Sequence, residues 1–312
     1  MTILLTGGTG FIGSHVLDRL IADGYEVILL KRSTSQQWRI TNNIGKVASY
    51  NVDEQDLEEV FQKHAIDYIL HIAGHYVKKH KNIAELDELI DSNIRFPSHL
   101  LEFAAKYEVK GFINTGTFFE YKPQDTPLSE RAEIEPYDYY AATKVAFESM
   151  LGYYTSHGSL KGITLKLFSP YGEKDNDKII PLLIRSCIQN TPLSLTKGEQ
   201  RLSFTYIGDI VDAYINAIKY MTNQQTQYEQ FNIGSSQAHS IEDIVQTLTK
   251  MSPQKKNLIK LGAVPYGLHE LMYMVCNAEK AEKLLHWKAK TELNTGLGKT
   301  MAYYQTSLAT HY

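Results

Sequence analysis

The chain has 312 residues, 43% hydrophobic and 21% charged, with 32 Lys and Arg against 35 Asp and Glu for a net charge of −3. That balance is globular; it excludes a disordered or fibrous chain and leaves no overall electrostatic footprint for nucleic acid or an anionic membrane surface. No apolar run nears the roughly 18 residues of a membrane span, no secretory n-region and h-region open the chain, and Cys187 and Cys276 lack the spacing of a disulfide framework or zinc site, so a cytoplasmic protein with neither nucleic acid nor membrane as partner is expected.

In chain order, Thr2–Thr6 (TILLT) reads as a buried strand and Phe11–Ala22 as a helix. Glu26–Leu30 (EVILL), Asp67–Ile72 (DYILHI) and Lys110–Thr115 (KGFINT) read as further strands. Leu101, Ala104 and Ala105 sit at helical spacing before KGFINT, and a long helix from about Tyr139 precedes a strand at Gly162–Phe168. Strands separated by helices of this length predict parallel βαβ units in an α/β, doubly wound (Rossmann) sheet. Beyond Pro170 turn signals multiply. The expectation is a dinucleotide-binding domain over 1–170 and a smaller, mainly substrate-binding region over 171–312, with segments such as Phe204–Ile207 returning to the first domain.

The first strand runs into Gly7-Gly8-Thr9-Gly10-Phe11-Ile12-Gly13 and then a helix. Gly7 lets the chain turn, Gly10 lets the backbone approach a pyrophosphate, and Gly13 lets helix and strand pack, while the helix N-terminus offers free N–H groups. A dinucleotide site follows, with Thr9, Phe11 and Ile12 in its loop. An acid at the end of the second strand would suit the ribose of NAD. Here Lys31-Arg32-Ser33 stand instead, two cations and a hydroxyl that suit a 2′-phosphate. NADP(H) is therefore preferred, with NAD(H) still possible; solvated surface cations are the plain alternative. Asn51, Val52 and Asp53 end the next strand, where adenine would lie.

Tyr140 and Lys144 are four residues apart on a helix and share one face. A free phenol titrates near pH ~10, and a nearby ammonium would lower that value; Lys144 would also hold the nicotinamide ribose. Thr117 ends the KGFINT strand at the sheet's carboxyl edge, where its hydroxyl can meet a substrate oxygen. Tyr121 and Tyr139 either line that pocket or are ordinary half-buried tyrosines.

Together TGGTGFIG, NTGTFFEY, YAATK with Glu148 four residues later, and LKLFSPYG resemble the extended short-chain dehydrogenase/reductase family over nearly the whole chain. The resemblance implies enzymes that mostly act on nucleotide-linked sugars. It implies that Gly7, Gly10 and Gly13 hold the pyrophosphate and that Thr117, Tyr140 and Lys144 form the catalytic set. It places Ala73 and Gly74 behind the cofactor, Phe168, Ser169 and Pro170 near the nicotinamide, and Asn93 as a structural asparagine. Sugar 4,6-dehydratases of the family carry an Asp-Glu pair after the catalytic threonine. Phe118-Phe119 stand there in this chain, which removes the acid a dehydratase needs. Arg201 is one residue early for the family's phosphate-binding arginine.

The segments LLKRSTSQQWRI and NTGTFFEY look similar to the CDP-abequose and CDP-paratose synthase subgroup. The expected activity is NADPH-dependent reduction of the 4-keto group of a nucleotide-linked 4-keto-6-deoxy or 3,6-dideoxy hexose. A CDP-sugar is favoured as partner, with dTDP-, UDP- or GDP-sugar possible. Thr117, Phe118, Tyr140 and Ser169 would meet the sugar, and Arg201 and Lys178 its diphosphate. A 4-epimerase is the alternative, and a non-catalytic dinucleotide-sensing regulator a second. The helices near 83–106 and 139–156 carry apolar residues on more than one side, including Ile90, Ile94, Val145 and Met150, which predicts a homodimer.

Overall fold

The computed structural model describes residues 1–77, 79–175, 178–223, 226–253 and 258–309. Strand β1 (Thr2–Thr6) leads through the glycine loop into α1 (Phe11–Ala22), β2 (Glu26–Lys31) and β3 (Ala48–Asn51). Then come α2 (Leu57–Lys63), β4 (Tyr68–His71), α3 (Ile83–Ile90), α4 (Phe96–Lys106), β5 (Gly111–Thr117), α5 (Tyr139–His157) and β6 (Lys161–Leu167). The C-terminal part adds α6 (Ile179–Gln189), α7 (Ile207–Asn223), β7 (Tyr228–Ile233), α8 (Ile241–Met251), α9 (Glu279–Leu284), α10 (Leu293–Ala309) and several two-residue strands.

The seven strands form one parallel sheet in the order β7-β6-β5-β4-β1-β2-β3. The chain reverses direction across the sheet between β1 and β4, and the crevice beyond their carboxyl ends is the place where such sheets bind ligands. A stitch marks the spot: Thr6 Oγ1 and His71 Nδ1 are 2.9 Å apart, and the Ala73 N–H donates to Thr6 Oγ1 at 3.2 Å.

Side chains alternate across a strand, so β1 feeds both layers. Ile3 and Leu5 pack with Val16, Leu17 and Leu20 of α1 and with Ile210, Tyr214 and Ile218 of α7. Leu4 packs on the other face with Leu100, Leu101 and Ala104 of α4 and with Phe147 and Leu151 of α5. A third cluster joins Leu183 and Ile184 of α6, Ile244 and Leu248 of α8, and Leu297 and Met301 of α10.

The C-terminal part also completes the sheet, because β7 pairs with β6. Thr205–Tyr206 pairs with Pro170–Tyr171 immediately before α7. The expected helix over 83–106 is interrupted: Asp91–Arg95 forms a π-turn between α3 and α4. Such turns often occur at functional sites. Here it aims Asn93 inward.

Candidate active site

At Gly7 the backbone has φ +72°, and an added Cβ would lie 2.5 Å from the Ala73 nitrogen. At Gly13 a Cβ would stand 2.1 Å from the Gly7 carbonyl oxygen. Both glycines are therefore required by close backbone approach. Gly10 is the N-cap of α1 and supplies no capping side chain, which leaves the first N–H groups of α1 to an anion. This cradle, with Thr9 and Ile12 on its rim and Phe11 packed in the core, fits the pyrophosphate of a dinucleotide.

At the end of β2, where the sequence suggests the adenosine, the structure differs from the expectation. Ser33 donates its N–H at 2.8 Å and its hydroxyl at 2.6 Å to the Asp53 carboxylate. Those bonds, with Arg32 beside them, hold the Asp53 carboxyl below its ordinary value. The acid missing from the end of β2 thus arrives from just beyond β3. Lys31 donates to the Asn51 side chain, and the Val52 N–H bonds the Lys31 carbonyl at 2.9 Å.

Deeper in the crevice, a Cβ on Gly74 would lie 3.2 Å from Lys144 Nζ and 3.5 Å from Asn93 Oδ1. Gly74 lets both groups close behind the site. Asn93, buried in the π-turn, accepts from the His75 N–H at 2.8 Å. It donates to the His75 carbonyl at 2.9 Å and to Thr143 Oγ1 at 3.0 Å. It ties the segment that carries Ala73 and Gly74 to α5, the structural role expected of it.

Helix α5 begins at Asp138, whose side chain accepts the Ala141 N–H at 2.8 Å. That cap sets Tyr140 in the first turn and Lys144 one turn on, with the Lys144 ammonium 5.8 Å from the centre of the Tyr140 ring. Burial, reinforced by Glu120 and Asp138, pushes the Tyr140 phenol up. Burial pulls Lys144 down to about 8, against the opposing pull of Glu120 and Glu148. The expectation that Lys144 lowers the tyrosine is reversed in this structure. Desolvation penalises both charged forms, and the acids near Tyr140 add to its share. Tyr140 is thus held as a neutral phenol.

Thr117, at the end of β5, accepts the Phe119 N–H at 3.3 Å, so its own hydroxyl proton is left to donate elsewhere. The corner after it is a capping box with Glu120, which receives the Thr117 N–H at 2.7 Å. Phe118 stacks on buried Phe168 at 5.5 Å. Tyr76 stands edge-on to Tyr140 at 5.0 Å and stacks on Phe119 at 6.5 Å. Ser169 has φ +33°, a backbone strain of the kind found where a site demands it; Pro170 follows it in the strand pair with Thr205. Of the two open tyrosines, Tyr121 is fully buried and bonds the Asn232 side chain at 2.7 Å, whereas Tyr139 is exposed.

The two expected phosphate cations differ in setting. The Lys178 ammonium lies 5.4 Å above the Phe11 ring, beside the glycine loop, and 3.7 Å from Asp175. Arg201 is exposed in a small ribbon with Tyr273–Met274 and His239–Ser240, and its charge is felt by Asp243. The structure brings Lys178 to the cofactor loop and places Arg201 on a separate element.

Sequence reasoning missed Glu120 and Lys166, which are fully buried as an ion pair directly behind Thr117. A lysine in the apolar strand run LKLF was the available signal, since a buried cation needs a partner.

A model of the NAD dependent epimerase/dehydratase family matches residues 3–234. The chain belongs to this family. Its members among the relatives include the CDP-abequose synthases of Salmonella typhimurium, 27% identical over 95% of each chain, and of Salmonella muenchen, 29% identical over 96% of this chain and 97% of the relative. A putative UDP-glucose 4-epimerase of Methanocaldococcus jannaschii is 24% identical over 98% of this chain and 99% of its own. Among solved structures, UDP-glucuronic acid 4-epimerase from Bacillus cereus, in complex with UDP-glucuronic acid and NAD, superposes with a TM-score of 0.87 at 26% identity. It covers 98% of this chain and 100% of the relative. Family membership and the doubly wound sheet make the protein an NAD(P)-dependent enzyme of oxidoreductase type. No helix among the described residues is long and apolar enough to cross a membrane.

Proposed function

We propose that the protein is an NADPH-dependent 4-ketoreductase of a nucleotide-linked 4-keto-6-deoxy or 3,6-dideoxy hexose. The observation that carries this reading is the buried Tyr140, edge-on to Tyr76, which stacks on Phe119 of the corner that Thr117 opens, with Phe118 and Phe119 in place of the dehydratase acids. The two CDP-abequose synthases support a CDP-linked deoxysugar.

A reduced nicotinamide bound in the crevice supplies hydride. Thr117 donates a hydrogen bond to the carbonyl oxygen and orients it. Tyr140 gives that oxygen its proton as negative charge develops there. Lys144 holds the cofactor ribose, and Tyr76, Phe118 and Phe119 exclude water around the reacting carbon. Gly7, Gly10 and Gly13 seat the pyrophosphate, with Ala73, Gly74, Phe168 and Pro170 backing the nicotinamide half and Asn51 and Val52 the adenine. Ser169 meets the sugar and Arg201 its diphosphate, while Lys178, beside Phe11 of the glycine loop, is placed for the cofactor's pyrophosphate.

NADPH is favoured by Lys31, Arg32 and Ser33 at the end of β2; Asp53, which accepts from Ser33, suits the ribose of NAD instead and would have to yield Ser33 to a 2′-phosphate. A cytoplasmic homodimer completes the reading. Exposed Ile83 of α3, with Met150 and Tyr153 of α5, provides the apolar face.

A 4-epimerase is the second reading, supported by the UDP-glucose and UDP-glucuronic acid 4-epimerases it resembles. Assay of purified protein with NADPH and a panel of 4-keto sugar nucleotides separates the two. Stoichiometric NADPH consumption supports the reductase; retained NAD and interconversion of 4-epimers without net oxidation support the epimerase.

A further inference from the structure

Behind Thr117 three ionisable side chains are sealed from water: Glu120, Lys166 and Glu148 are 0%, 0% and 7% exposed. Glu120 receives the Lys166 ammonium on one oxygen and the Thr117 N–H, at 2.7 Å, on the other. Lys166 also lies 3.0 Å from Glu148 Oε2, which accepts from Gln230 at 3.1 Å. Glu148 Oε1 meets no donor. Space for both carboxylates exists only because residue 116 is glycine: a Cβ there would lie 2.9 Å from Glu120 Oε1 and 2.9 Å from Glu148 Oε1. Lys166 pairs with both carboxylates, and the remaining donors fall unequally. Glu120 has a donor on each oxygen, as an anion requires, whereas Glu148 has one oxygen without a donor.

We infer that Glu120 is a positioning residue for the reaction, its buried carboxylate fixing the Thr117 corner and setting the field at Tyr140 and Lys144, with Lys166 as counterion and Glu148 as a neutral acid. Burial and Glu120 push Glu148 well above the ordinary carboxylate range, in keeping with that division of charge. The titratable groups facing Tyr140 are Glu120, Asp138 at the head of α5, Tyr76 after β4 and Tyr214 of α7. Those facing Lys144 are Glu120, Glu148 and His71 of β4. Among the described residues, Glu120 is the carboxylate whose charge bears on both Tyr140 and Lys144.

The inference rests on the reading of Thr117, Tyr140 and Lys144 as catalytic, and its test has an arm that needs no substrate. Infrared spectra of the unliganded wild type near pH 7 should show the carbonyl stretch of a buried protonated carboxylic acid. Glu148→Gln should remove it, and in the wild type it should fade at alkaline pH, above the range where an ordinary carboxylic acid ionises. A wild type without this band, or a band that survives in Glu148→Gln and so belongs to another acid such as Asp138, overturns the inference.

The kinetic arm compares isosteric variants. Glu148→Gln mimics the neutral acid and should keep kcat within about twofold at pH 7. Glu120→Gln should lower kcat about tenfold or more and weaken NADPH binding at pH 7, because Lys144 loses the pull that keeps it charged, with the Michaelis constant for the sugar unchanged. Equal losses in the two variants, or a wild-type kcat in Glu120→Gln, contradict it. Should Glu120→Gln fail to fold, the infrared arm still decides. A wild type that reduces no 4-keto sugar refutes the functional reading and leaves the infrared result standing.

Discussion

Lys144 offers a quantitative handle on the site. Its ammonium is 2% exposed, and burial brings its pKa down to about 8. At pH 7 about nine-tenths of such a lysine is charged, and at pH 9 a little under one-tenth, so the cationic form falls about tenfold between them. An unperturbed lysine, near ~10.4, would stay charged throughout. The sign is fixed: a depressed lysine loses its cation as pH rises through the folded value. If the cation is the form that holds the cofactor ribose, NADPH affinity should weaken about tenfold from pH 7 to pH 9, with half of the binding-competent form lost near pH 8. Fluorescence titration of NADPH at a series of pH values measures this directly. Lys144→Arg removes the titration, because a guanidinium stays charged across that range, and should flatten the profile even if overall affinity falls. A wild-type affinity independent of pH over this range would show that Lys144 is not the ribose anchor or is not depressed, and the reasoning would fail.

Tyr140→Phe removes the proton donor while keeping the ring against Tyr76, and should lower turnover about 10²- to 10⁴-fold with NADPH affinity little changed, as read by steady-state kinetics and fluorescence titration. Asp53→Asn deletes the carboxylate that occupies Ser33; NADPH should bind more tightly relative to NADH, and an unchanged ratio by calorimetry would show that a 2′-phosphate does not sit there. Light scattering at micromolar concentration should report a dimer, and Met150→Asp with Tyr153→Asp should convert it to a monomer; a monomeric wild type refutes the interface.

Much of the fold was legible because its signals are local. The glycine loop between β1 and α1 is written in seven consecutive residues, and the parallel sheet follows from apolar runs separated by helices. Tyr140 and Lys144 were readable because a helix fixes what i and i+4 share. What stayed hidden depends on residues distant in sequence. Asp53 reaches Ser33 across twenty residues, so the β2 end appeared to lack an acid that β3 supplies. The charge state of Tyr140 depends on burial and on Glu120, and a pair read in isolation shows only the lysine's influence. The π-turn that aims Asn93 leaves no mark in helical periodicity beyond the apolar residues on either side.

The most direct test of the central claim is a single assay of purified protein with NADPH and a CDP-linked 4-keto-6-deoxy or 4-keto-3,6-dideoxy hexose, run in parallel on Tyr140→Phe. The account expects one NADPH oxidised per ketone reduced by the wild type, and a loss of about 10²-fold or more in the variant. Reduction by Tyr140→Phe at the wild-type rate, or no NADPH consumption by the wild type across CDP-, dTDP-, UDP- and GDP-linked 4-keto sugars, would contradict it.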